Sequence, residues 1–118
     1  MAHYAGFMRG TTDAQAHLGP DEGQRVLESY LAWSDDLTRQ GKLVSGNSLS
    51  LDGRVLRLDG DALASTDGPH TEATEVLGGL IVIDAHDLDE AEKTFGGHPH
   101  LRFGPIEVRR VEDCRDGN

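Results

Sequence analysis

The chain has 118 residues, 36% apolar and 27% charged, which is enough for one compact domain with a small core. Eleven Lys and Arg against 21 Asp and Glu leave a formal charge of -10, which argues against a basic nucleic-acid surface and a polybasic membrane patch. A single cysteine, Cys114, excludes a disulfide scaffold, and its acidic neighbours Glu112, Asp113 and Asp116 disfavour the reactive thiolate.

The N-terminus lacks a basic region followed by a long apolar run, and Leu80-Ile81-Val82-Ile83 is too short to span a bilayer, so a cytoplasmic protein is expected. His3 to Met8 reads as a first strand, followed by a loop from Arg9 to Gly19. Pro20 suits the first position of a helix, and Asp21 and Glu22 suit its positive end. Val26, Tyr30, Trp33 and Leu37 recur at helical spacing, so the pattern predicts a helix from Asp21 to Gln40, capped by Gly41 in the left-handed region.

Beyond Gly41 the period changes to that of strands. Leu43 to Leu49 reads as a strand in which Gly46 marks a bulge or a close approach. Arg54 to Leu58 and Asp61 to Thr66 flank the turn signal Asp59-Gly60 and form a hairpin. That turn reading outweighs a calcium loop, because Asp59-Gly60-Asp61 lacks the later Glu ligand. Asp67-Gly68-Pro69 is the densest turn signal in the chain. Gly79 to Asp84 is an apolar run expected to be buried on both faces of a sheet. Asp87-Leu88-Asp89-Glu90 has the spacing of a capping box, so a second helix starts at Asp87 and ends at Gly96-Gly97. Ile106 to Arg109 alternates as a last strand.

The order is strand, helix, strand, hairpin, strand, helix, strand. Setting the hairpin aside, it is the βαββαβ order of an α+β, ferredoxin-like fold: an antiparallel sheet with two helices on one face. A single domain over 1–113 with a disordered tail at 114–118 is expected. The open sheet face makes a homodimer the natural assembly.

Thr66-Asp67-Gly68-Pro69, followed by Glu72, Glu75 and Leu77-Gly78-Gly79, resembles the signature of the YCII-related proteins, in particular the DGPF branch. Ile83, Asp87 to Ala91, Pro99, Gly104 and Ile106 to Arg109 fall at that family's spacing, as do Leu31-Ala32, Leu37, Gly41, Leu43-Val44 and Leu49. The resemblance implies a dimeric α/β barrel with a pocket between sheet and helices. A few relatives are dehydrochlorinases of chlorinated hydroxyhydroquinones with a proposed His–Asp pair, and some DGPF members occur beside extracytoplasmic-function sigma factors. The sequence departs from the pattern at three places: His70 replaces the motif Phe, Tyr30 stands where relatives carry the proposed active-site His, and Thr74 replaces a common Lys.

Two readings compete at each candidate residue. Asp67 fixes the turn or acts as a general base with His70, whose imidazole titrates near neutrality. Glu72 pairs with Arg57 or Arg109 or contacts a ligand. Tyr30 and Trp33 pack in the core or form a pocket wall, with the phenol bonding a ligand oxygen. His98 is a further ligand contact or a substitute proton carrier. His98-Pro99-His100 suggests a metal only weakly, so neither a metal nor a cofactor is expected.

The sequence therefore points first to a homodimer that binds a small aromatic or polar organic ligand near the Asp67 turn. A cofactor-independent lyase or isomerase using Asp67 with His70 is the alternative. An acidic interaction module linked to transcriptional regulation is the third reading.

Overall fold

The computed structural model describes residues 1–11, 13–68 and 76–112. Six strands and two helices follow in the order β1 (Ala2–Gly10), α1 (Pro20–Arg39), β2 (Leu43–Ser48), β3 (Gly53–Asp59), β4 (Ala62–Gly68), β5 (Val76–Ala85), α2 (Leu88–Phe95) and β6 (Ile106–Arg110). A short 3₁₀ turn, Pro99–Arg102, leads into β6. β2, β5, β1 and β6 lie side by side in one antiparallel sheet, the ferredoxin-like arrangement, while β3 and β4 form a separate hairpin.

Local chemistry explains the element ends. Pro20 opens α1, and Gly41 closes it at φ +72°. The Gly41 N–H donates to the Thr38 carbonyl and the Lys42 N–H to the Leu37 carbonyl, the paired bonds of a Schellman stop. Asp87 caps α2 by accepting from the Glu90 N–H at 2.8 Å. The Glu90 carboxylate reaches back to the His86 N–H, one residue before the cap, at 3.4 Å. The hairpin turns at Gly60, φ +64°. Gly46 stays in regular register, and the β2 irregularity falls between Leu43 and Ser45 instead.

The core lies between the sheet and the helices. Tyr4, Met8, Ile81, Ile83 and Ala85 pack against Leu37, Ala91 and Phe95. Gly6 faces the Phe95 ring so closely that an added Cβ would come within 2.5 Å of it. Alternation puts Phe7, Leu80 and Val82 on the opposite face, where they are only half-buried. The apolar run of β5 is thus fully buried on one face of this protomer, not on both. Leu80 and Val82 follow the period-2 pleat to a face that no helix among the described residues covers.

Of the turn signal Asp67-Gly68-Pro69, the first two residues extend β4, with Asp67 opposite Arg54 and Gly68 opposite Gly53, and Pro69 lies outside the described residues. Cross-strand pairing carries the ladder to that point. Pro69, His70, Glu72, Thr74 and Glu75 lie outside the described residues, as do Asp113 and the 114–118 tail.

Candidate functional site

Between α1 and the β1 and β5 strands lies a cavity of about 560 Å³, a size that suits a small organic ligand. Its walls are mainly apolar, with Met8, Leu27, Leu31 and Ile81 among them, and its polar end is built from Tyr30, His98 and His100. α1 supplies Tyr30 on the stripe that also carries Trp33, and the 3₁₀ turn supplies both histidines. His98 precedes Pro99 and caps that turn, its Nδ1 accepting the His100 N–H at 2.9 Å.

The polar groups form a chain of defined direction. His100 Nε2 lies 2.8 Å from the Arg9 carbonyl oxygen, which can only accept, so Nε2 carries the hydrogen. In the neutral ring Nδ1 is then an acceptor, and the Tyr30 hydroxyl 3.3 Å away donates to it. Gln15 Nε2 donates to the same phenol oxygen at 3.4 Å. Burial raises the Tyr30 pKa above the usual phenol value, while the Gln15 bond and the Arg102 charge pull it down. The phenol therefore stays protonated at neutral pH.

His98 is 3% exposed. Its ring meets Tyr30 edge-on at 5.0 Å and Trp33 at 4.6 Å between centroids, and Trp33 in turn stacks on Phe95 at 6.0 Å. Burial, with help from the neighbouring His100, lowers the His98 pKa to about 4, so the ring is neutral at pH 7.

The structure thus brings Tyr30, Trp33 and His98 together, but only Tyr30 and His98 line the cavity; Trp33, expected as a pocket wall, packs against Phe95 and His98 instead and is not among the lining residues. The structure does not bring Asp67 to them: that carboxylate is exposed on β4 and is not among the residues lining the cavity. His70 and Glu72 lie outside the described residues. Sequence reasoning did not assign His100, Gln15 and the Arg9 carbonyl. His100 had a legible signal in the His-Pro-His spacing, but only the 3₁₀ turn shows that both rings point toward α1. Among the described residues, no group of three or more His, Cys, Asp or Glu side chains is placed to hold a metal ion.

The model of the YCII-related domain matches residues 5–115. The chain belongs to the YCII-related family. Among solved structures, this YCII-related chain is similar to the 5-chloro-2-hydroxyhydroquinone dehydrochlorinase TftG from Burkholderia phenoliruptrix AC1100, determined in complex with 2,5-dihydroxybenzoquinone. The TM-score is 0.53 with 15% identity over 97% of each chain, which establishes a shared fold. No curated protein sequence matches significantly. No helix among the described residues is long and apolar enough to cross a membrane.

Proposed function

We propose that this YCII-related protein binds a small, oxygen-bearing ring compound, a phenol or quinone, in the cavity beneath α1. The observation that carries the reading is a largely apolar cavity of about 560 Å³ ending in the hydrogen-bonded Tyr30–His100 pair. Apolar walls gain from burying a ring, and a few convergent polar groups orient its oxygens. The fold neighbour's dihydroxybenzoquinone complex supports this ligand class. Asp67, paired with Arg54 in the ladder, serves the hairpin and not the ligand.

A thermal-shift screen of wild type and Tyr30→Phe against phenols, quinones and small keto acids tests the reading, since ligands stabilise by mass action whether or not they react. Phenols or quinones raise the wild-type Tm, and Tyr30→Phe loses most of the shift while Asp67→Ala keeps it. A shift lost only in Asp67→Ala would move the site to the hairpin, and no shift with any compound would end the small-molecule reading.

The Tyr30–His100–Arg9 chain also favours turnover as a second reading. A substrate hydroxyl can pass its proton to the Tyr30 oxygen while Tyr30 passes its own to His100 Nδ1, needing no cofactor. Loss of turnover in His100→Gln with ligand binding kept identifies this relay; unchanged turnover excludes it.

The assembly belongs to the same proposal. Phe7, Leu80 and Val82 form an apolar stripe on the helix-free face, flanked by the His3–Asp84 contact and the Arg9–Glu107 ion pair. A second copy covers that stripe in a homodimer.

A further inference from the structure

The cavity's polar end has a fixed hydrogen-bond polarity, and that polarity narrows the ligand. His98 Nδ1 is committed as an acceptor to the His100 N–H, so in the neutral ring the hydrogen sits on Nε2. Nε2 has no partner among the described residues. Among those residues no buried polar side-chain atom lacks a partner, so Nε2 is not sealed inside the protein. The His98 ring is part of the cavity lining, and Nε2–H is the one donor that ring has left to offer. The low His98 pKa keeps it a neutral donor across the physiological range. Tyr30 has the opposite polarity. Its hydrogen is committed to His100, and Gln15 occupies one side of its oxygen, which leaves that oxygen as an acceptor.

We propose that His98 and Tyr30 read a hydroxyl–carbonyl pattern: the His98 Nε2–H donates to a carbonyl oxygen of the ligand, and the Tyr30 oxygen accepts from a ligand hydroxyl. The inference rests on the cavity being the binding site, as proposed above. It ranks lower a ring that offers only carbonyls or ethers, which leaves the Tyr30 oxygen unmatched. It also disfavours a ring that offers only hydroxyls. A phenol oxygen can accept from His98, but it brings a hydrogen that must find its own partner in a largely apolar cavity. Each mismatch costs about tenfold in affinity.

Calorimetric titration of the full chain at pH 6 tests this with three matched series: the ortho, meta and para hydroxyacetophenones, methoxyacetophenones and benzenediols. Using all three isomers removes any dependence on oxygen spacing. The best hydroxyacetophenone should bind about tenfold tighter than the best member of either other series. His98→Asn keeps an acceptor for the His100 N–H while removing the ring donor, and it should erase the preference over the diols. Tyr30→Phe should erase the preference over the methoxy ketones and leave the His98-dependent one. Wild type binding diols or methoxy ketones as tightly as hydroxy ketones overturns the polarity while leaving the cavity reading intact. So does an unchanged ranking in folded His98→Asn. Failure of all nine compounds to bind overturns both. The wild-type ranking decides even if His98→Asn does not fold.

Discussion

His98 couples the site to stability through its protonation. Its folded-state pKa of about 4 lies below the ordinary value of 6.5. Between those values the unfolded chain takes up a proton that the folded chain refuses, so stability falls as pH drops from neutrality toward 4. At pH 5 this single residue should cost on the order of 1–2 kcal/mol relative to pH 7. Denaturant titrations at the two pH values measure it, and His98→Asn should flatten the difference. An equal pH dependence in wild type and variant would remove His98 as its source. Gly6 makes a second claim at this scale. With an added Cβ within 2.5 Å of the buried Phe95 ring, Gly6→Ala should destabilise by about 1–3 kcal/mol. An unchanged Tm would mean that the ring has room to move.

Each helix end is held by a different device. α2 has only eight residues and relies on the Asp87 cap. Asp87→Ala should cost about 1 kcal/mol, and Asp87→Ser should recover most of it, as read by urea unfolding. α1 has Gly19 at its N-cap and so no side-chain cap, and its start depends on Pro20 and the early acidic residues. The 3₁₀ turn is the smallest element and the one on which the site depends most, because its cap, His98, is also a cavity wall. The β3–β4 hairpin stands apart from the main sheet, with Leu56, Leu58 and Leu63 sharing one exposed face. An isolated two-stranded hairpin is marginal in water, so β3 and β4 should exchange amide hydrogens faster than β1 and β5. Equal protection would show that something covers the hairpin in solution.

At the scale of the whole molecule, the radius of gyration is 16.5 Å, against roughly 13–14 Å for a compact domain of this length. The extents of 49 × 48 × 19 Å describe a flat body with one open sheet face and a projecting hairpin. A second copy against that face would give the particle the thickness it lacks. Light scattering at micromolar concentration should return twice the 12.8 kDa protomer mass, and Phe7→Glu should shift it to one protomer. The protomer mass for wild type would refute the dimer.

Hydrophobic period and end signals determined the elements, because those are local properties. The Val26–Leu37 stripe, the Gly41 stop, the Asp59-Gly60 turn and the Asp87 cap were all legible in the sequence, and with them the ferredoxin-like order. Tyr30 and His98 were also visible as residue types able to line a pocket, whereas Trp33, read the same way, packs against Phe95 and His98 and does not line it. Tertiary structure alone decided which of the candidate groups meet. Tyr30 and His100 are 70 residues apart, and the polarity of their bond is set by the Arg9 carbonyl, a backbone group with no sequence signature. It also decided that Asp67 and Gly68 belong to a strand: both favour turns by local propensity, but pairing with Arg54 and Gly53 overrides propensity where a partner strand is in register.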